Sequence, residues 1–160
     1  MKLATSAQMR EADKCAIENS GITGVALMER AAGHLAVAVM EHVPLGGLVV
    51  AFCGTGNNGG DGIGAAAYLL EKGIKVYTYI IGKAEELKAD ARLMLQRYEA
   101  LGGSFEYYSE SLDLGVQIKT CSVIIDAIYG IGLNAVVHGD ALSAISLINS
   151  SKTTVISARL

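Results

Sequence analysis

The pattern of apolar and polar positions along this chain alternates between two kinds of segment. Residues 48–53 form a continuous apolar run, which is typical of a parallel strand buried on both faces. Short apolar-rich runs predict four further strands, at residues 75–81, 104–108, 121–126 and 153–157. The segments between strands carry apolar residues at helical spacing, which predicts helices over residues 65–72, 84–101, 112–119 and 140–149.

Two more helices are predicted before the first strand. Thr5 and Gln8 have the spacing of a capping box, so one helix is expected to begin there and to end at Gly21. A second, amphipathic helix follows and is expected to end before Pro44, because proline cannot continue a helix. The apolar face of this second helix consists of Leu27, Met28, Ala31, Leu35 and Val39.

The order of these elements predicts the fold class. Strands that alternate with helices indicate a parallel sheet covered on both faces, wound with right-handed crossovers. We therefore expect a three-layer α/β/α, Rossmann-like, doubly wound fold with a mainly parallel sheet and two extra N-terminal helices. Residues 1–160 are expected to form a single domain. If the strands follow the common order 3-2-1-4-5, the first and fourth strands are neighbours.

Composition restricts the classes of function. Thirteen Lys and Arg against sixteen Asp and Glu give a net charge of −3, which provides no basic field for nucleic acid or for an anionic membrane. No apolar run reaches the roughly 18 residues that span a bilayer, and the N-terminus lacks the apolar core of a signal peptide. A cytoplasmic protein is predicted. The three separated cysteines, Cys15, Cys53 and Cys121, predict buried thiols rather than disulfides or a zinc site.

The glycine-rich segment at residues 54–62 is the first candidate for chemistry. It lies between a predicted strand and a predicted helix, where a helix N-terminus presents free N–H groups to a phosphate. Its glycines match the dinucleotide fingerprint, and the alternative is a tight turn without a ligand. The fingerprint also needs an acidic residue at the end of the second strand, where Gly82 and Lys83 stand. A standard NAD dehydrogenase is therefore disfavoured, and a Walker A loop is excluded because no Gly-Lys-Ser/Thr follows.

Asp126 is the second candidate. It ends an otherwise apolar strand, and ligands of open α/β sheets bind at the carboxyl ends of the strands. With the strand order given above, Asp126 is expected beside the segment 54–62. A second glycine-containing segment, residues 130–134, follows at once and could wrap a ligand. The alternative for Asp126 is a simple helix cap.

These residues resemble one family, the YjeF N-terminal domain of NAD(P)H-hydrate epimerases. The resemblance rests on four motifs and covers nearly the whole chain. They are Gln8-Met9-Arg10-x-x-Asp13, Leu27-Met28-Glu29-Arg30-Ala31, the Asn57-Asn58-Gly59-Gly60-Asp61-Gly62 run, and Asp126-Ala127-Ile128-Tyr129-Gly130-x-Gly132-Leu133-Asn134.

The resemblance implies a repair enzyme that interconverts the R and S forms of hydrated NADH and NADPH, together called NAD(P)HX. It implies a dehydratase as functional partner, often fused in bacteria, and a homodimer. It also implies a potassium ion held by Asn58 and Asp126, with Asp126 in acid/base or electrostatic work. The substrate-binding residues that it implies are Asn57, Asn58, Gly59, Gly60, Asp61, Gly130, Ile131, Gly132, Leu133, Asn134, Ala135 and Val136.

The chain departs from the family pattern at three places. Thr55 stands where the family usually has proline, and Ile131 where it has threonine. Arg159 stands where the family continues into Asp-Ile-Pro-Ser-Gly, whose aspartate binds substrate and whose serine binds potassium. This last departure leads us to expect an epimerase domain truncated or frame-shifted at its C-terminus, with impaired activity. The alternative function is a non-catalytic nucleotide-binding or protein-interaction module of the same family.

Overall fold

The computed structural model describes residues 5, 7–8, 11–12, 14–15, 21–131, 133 and 135–158. The predicted capping box is present: the Thr5 amide donates to Gln8 Oε1 at 2.8 Å, and the Gln8 amide donates to Thr5 Oγ1 at 3.3 Å. Residues 7–8, 11–12 and 14–15 are helical, as expected for the first helix. The rest of that predicted helix, like Arg159, lies outside the described residues.

Five parallel strands form one sheet with the order β3-β2-β1-β4-β5, which confirms the predicted α/β class and strand order. The elements are α1 Gly24–Met40, β1 Leu48–Cys53, α2 Asn57–Glu71, β2 Lys75–Ile80, a 3-10 turn Ala84–Glu86, α3 Ala89–Ala100, β3 Phe105–Tyr107, α4 Gly115–Thr120, β4 Val123–Ala127, α5 Gly139–Ser150 and β5 Thr154–Ser157.

Two buried apolar clusters lie on opposite faces of this sheet. Because side chains alternate along a strand, β1 divides its residues between them. Val49, Ala51 and Cys53 pack with α1, α2 and α3 on one face, whereas Val50 and Phe52 pack with α4 and α5 on the other. This division explains why the β1 sequence is continuously apolar. Among the described residues, no helix is both long and apolar enough to cross a bilayer.

Helix α2 lies between α1 and α3, and glycine allows α1 to approach it closely. A Cβ on Gly60 would lie 2.5 Å from Met28 Sδ, and one on Gly64 would lie 2.7 Å from the Ala32 Cβ. An ion-pair network ties the outer surfaces of the three helices, since Arg97 contacts Glu29 at 3.2 Å and Glu71 at 2.8 Å. These charges are partly exposed, so packing at the glycines contributes more than the ion pairs.

One predicted helix, residues 84–101, is interrupted. Leu87 has an extended conformation, with φ −60° and ψ 122°, between the 3-10 turn and α3. The amide of the following residue, Lys88, donates to the Thr55 carbonyl at 3.0 Å. That bond ties the start of α3 to the end of β1, and helical periodicity alone does not reveal it. The contact brings the β2–α3 connection against the beginning of the glycine-rich segment.

Candidate functional site

The glycine-rich segment is mostly helix rather than loop. Helix α2 begins at Asn57 with Gly56 as its N-cap, so the prediction that helix starts only at residue 65 is wrong. The physical reason is close packing. A Cβ on Gly59 would overlap the carbonyl oxygen of Gly54, and one on Gly62 would overlap the Ala127 Cβ. These glycines let the first turns of α2 lie directly on the carboxyl ends of β1 and β4.

The chain that follows β4 packs against the chain that follows β1. The Gly54 amide donates to the Ala127 carbonyl at 3.0 Å. A Cβ on Gly54 would overlap the Ile128 carbonyl oxygen, so only glycine permits this approach. The structure therefore places Asp126 and the glycine-rich segment side by side, as the strand order implies.

Asp126 is half-buried at the carboxyl end of β4 and holds one hydrogen bond on each carboxylate oxygen. Oδ1 accepts the Ile128 amide at 3.3 Å, which closes a local turn. Oδ2 accepts the Ser157 hydroxyl at 3.3 Å, from the end of β5. Ser157 lies outside the four sequence motifs. Its position at the end of the fifth strand, next to the fourth, is the sequence signal that could have found it.

Asn58 is the most unusual polar side chain of the site. Its Oδ1 and Nδ2 atoms are buried, and neither has a hydrogen-bond partner among the described residues. Gly130 lies against it, since a Cβ there would be 3.2 Å from Asn58 Oδ1. A buried amide without partners costs stability, so such a group calls for a ligand or an ion. Asn58 therefore offers an oxygen and an N–H₂ group next to the segment that follows Asp126.

The other residues implied for substrate binding lie in two segments, 57–61 and 130–136. Asn57 is exposed at the first position of α2, whereas Gly59, Gly60 and Asp61 are buried, with Asp61 only 8% exposed. Gly130 lies against Asn58, as described above. The rest of the second segment projects apolar surface, with Ile131, Leu133, Ala135 and Val136 exposed, and Gly132 and Asn134 lie outside the described residues.

Cys53 also lies in this region, but its chemistry is suppressed. Burial, and then the nearby charge of Asp126, raise the pKa of the Cys53 thiol far above its ordinary value. A thiol in that environment is neither a nucleophile nor a metal ligand at neutral pH. Cys121 is buried too, whereas Cys15 is exposed, so the prediction of buried thiols holds for two cysteines and is wrong for Cys15.

We expect alkylation to separate these cysteines. In the folded protein at pH 8, iodoacetamide should modify Cys15 and leave Cys53 and Cys121 unmodified over an hour, because the buried thiols are neither accessible nor ionised. Mass spectrometry of tryptic peptides measures this, with protein in guanidinium chloride as the control in which all three react. Rapid modification of Cys53 in the folded protein would contradict its burial beneath α2.

A surface cavity of about 660 Å³ lies apart from the site, between α4 and the end of α5, at the amino-terminal edge of the sheet. Its lining includes Lys119, Cys121 and Lys152 and contains none of the residues implied for substrate or potassium binding. Within the described ranges, no three His, Cys, Asp or Glu side chains come together as a metal site. A metal near Asp126 would therefore need amide, hydroxyl or backbone oxygens among its ligands.

Several known proteins are similar to this chain over nearly its whole length. A bifunctional NAD(P)H-hydrate repair enzyme from Moorella thermoacetica is 29% identical over 168 residues, which is 100% of this chain and 31% of that protein. An NAD(P)H-hydrate epimerase from Limosilactobacillus reuteri is 35% identical over 97% of this chain, and one from Oenococcus oeni is 32% identical over 94%. This chain spans 71% and 70% of those two epimerases.

A solved structure and a family profile also match this chain. The crystal structure of yeast ynu0 has the same fold, with a TM-score of 0.84 and 20% identity over 100% of this chain and 70% of that one. The profile described as YjeF-related protein N-terminus matches residues 24–158. The family expected from the sequence motifs is confirmed, and this chain belongs to the family of YjeF-related protein N-terminal domains.

Proposed function

We propose that this chain catalyses the epimerisation of R- and S-NAD(P)HX in the repair of nicotinamide nucleotides. The observation that carries the proposal is the arrangement at the carboxyl edge of the sheet. The Asn58 amide, which has no hydrogen-bond partner among the described residues, lies against Gly130, four residues after Asp126. The relatives that match nearly all of this chain are named for the same epimerisation.

The N-terminus of α2 is suited to the phosphates of such a substrate. The first amides of a helix have no intrahelical acceptor, and its N-terminus carries partial positive charge. The N-cap of α2 is Gly56, which has no side chain to occupy those amides, and Asn57 is exposed beside it. The apolar side chains of Ile131, Leu133 and Val136 offer surface to the rings of a dinucleotide.

Asp126 is our candidate for the proton and charge work. The substrate carries a hydroxyl on a carbon bonded to a ring nitrogen. Protonation of that hydroxyl lets it leave as water, while the nitrogen lone pair forms a planar cation. Water adds to either face of the cation and returns a proton, which restores the hydrate in either configuration. Asp126 would give and retake the proton, or stabilise the cation as a carboxylate.

The donor set of this site fits the potassium ion that the family resemblance implies. Asn58 Oδ1 and the Asp126 carboxylate are hard oxygen ligands, and the buried Asn58 amide is unsatisfied among the described residues. Bound there, the ion would supply positive charge that offsets Asp126 and the substrate phosphates.

A potassium-specific stabilisation is the expected result. Binding to the folded state alone adds RT ln(1 + [K⁺]/Kd), so exchanging LiCl for KCl at constant ionic strength should raise the Tm by about 2–4 °C once K⁺ exceeds its Kd several-fold. Asn58→Leu should remove this difference and should be at least as stable as the wild type in LiCl, because it removes a buried amide that has no partner among the described residues. Differential scanning calorimetry measures both, and an equal K⁺ shift in the variant would exclude Asn58 as a ligand.

We also propose a dehydratase acting on the S form as functional partner, which the bifunctional Moorella relative supports. Three other expectations are still predictions: a homodimer, a cytoplasmic location and a single domain over residues 1–160. The molar mass of the purified chain, measured by light scattering, tests the homodimer.

A coupled assay tests the proposed function. R-NAD(P)HX is mixed with the purified chain, KCl and an S-specific dehydratase, and the absorbance of regenerated NAD(P)H is followed. We expect its appearance to exceed the spontaneous rate in proportion to the amount of this chain. No acceleration, together with retained nucleotide binding measured by calorimetry, would replace the epimerase with a non-catalytic binding module.

A further inference from the structure

The register of β4 and β5 brings to Asp126 one side chain, Ser157, that lies outside the four sequence motifs. Ser157 is paired with Asp126 in the parallel ladder, and paired residues project from the same face of a sheet. The Ala158 amide donates to the Asp126 carbonyl at 2.9 Å, which extends the pairing past the end of β5. The Ser157 hydroxyl therefore lies in reach of the Asp126 carboxylate and donates to Oδ2 at 3.3 Å.

The two hydrogen bonds of Asp126 do different work. The bond from the Ile128 amide to Oδ1 lies within one turn, so it moves with the segment that it closes. The bond from Ser157 comes from another strand, so it fixes the χ1 rotamer of the Asp126 side chain relative to the sheet. Each oxygen keeps lone pairs for a further partner, because a carboxylate offers about four acceptor sites.

We propose that Ser157 is a positioning residue that holds the Asp126 carboxylate in one orientation. The kinetic part of this proposal rests on the proposed epimerase function, whereas the structural part does not. Ser157 is exposed on an edge strand, and its hydroxyl contributes little to the buried core. Its substitution should therefore change the orientation of Asp126 far more than the stability of the protein.

The first test needs no turnover. In protein labelled with ¹³C and ¹⁵N, three-bond couplings from the Asp126 Cγ to its backbone N and C′ report the χ1 rotamer. We expect one rotamer in the wild type, averaging in Ser157→Ala, and the single rotamer again in Ser157→Thr, which keeps the hydroxyl. Thr154→Ala is the matched control, because it removes a hydroxyl from the same strand beside Val123, at the other end of the sheet.

The second test is kinetic. Ser157→Ala should lower the kcat for epimerisation about tenfold with KM changed less than twofold, and Ser157→Thr should restore most of it. Thr154→Ala should have wild-type kcat. An Asp126 rotamer unchanged in Ser157→Ala overturns the proposal. Should the wild type lack epimerase activity while the rotamer depends on Ser157, the positioning role stands and the proposed function fails.

Discussion

Replacing Asp126 with alanine is expected to lower the kcat for NAD(P)HX epimerisation by at least about 100-fold, the usual contribution of a positioned acid or base. The carboxylate is half-buried at the carboxyl end of β4. Each of its oxygens accepts a hydrogen bond, so its orientation is restricted. Asp126 is also a proposed potassium ligand, and the variant should lose the K⁺-dependent rise in Tm as well. The coupled absorbance assay and calorimetry measure the two effects.

The variant Asp126→Asn separates a chemical role of the carboxylate from its structural role in the local turn. The amide oxygen can still accept the Ile128 amide, so the local turn is retained, but the carboxylate charge and its basicity are lost. If Asp126 acts chemically, Asp126→Asn should be nearly as impaired as Asp126→Ala. If Asp126 only caps the turn, Asp126→Asn should recover wild-type activity, and that recovery would exclude an acid/base or electrostatic role.

An aspartate outside the site provides a control for the loss of the hydrogen bond that closes the turn. Asp113 Oδ1 accepts the Gly115 amide at 3.0 Å, the same two-residue spacing as in the bond from Ile128 to Asp126. Asp113→Ala removes an equivalent local hydrogen bond before α4. It should cost about 1 kcal/mol of stability or less and leave kcat unchanged. An equal loss of activity in Asp113→Ala would mean that the Asp126 variant acts through folding.

The sheet could be predicted because its information is local. Five apolar runs predict five strands, and β1 at Leu48–Cys53 has the predicted bounds. The expected strand order is the common doubly wound arrangement, and right-handed crossovers then place helices on both faces of the sheet. The position of Asp126 next to the start of α2 follows from that order alone, without any knowledge of side-chain contacts.

What could not be predicted depends on tertiary contacts. Glycine disfavours helix, so the start of α2 reads as loop, yet packing against Gly54 and Ala127 overrides that propensity. The burial of the Asn58 amide, which has no partner in the described part of the chain, and the close approach of Gly130 to it are likewise tertiary features. The contact between Ser157 and Asp126 depends on the register of β4 and β5. A one-residue shift would turn Ser157 to the opposite face, and no local pattern fixes that register.

Gly59→Ala is expected to destabilise the protein by about 2 kcal/mol or more, lowering the Tm by roughly 5–10 °C. Alanine favours a helix over glycine by about 1 kcal/mol, so this substitution would stabilise an unobstructed site. At Gly59 the added methyl group would overlap the Gly54 carbonyl oxygen. That oxygen belongs to the backbone and cannot rotate away. Urea unfolding followed by circular dichroism measures the free energy difference.

Gly33→Ala is the matched control and should have the opposite sign. Gly33 lies within α1, and an added Cβ would meet nothing within 4 Å. The substitution should therefore stabilise the protein by about 0.5–1 kcal/mol through helix propensity alone. Gly59→Ala should also lower kcat, because relief of the overlap moves α2, and with it Asn58, away from the end of β4. If both variants are stabilised, α2 does not lie on Gly54, and the proposed site loses the close approach that brings Asn58 beside the segment after Asp126.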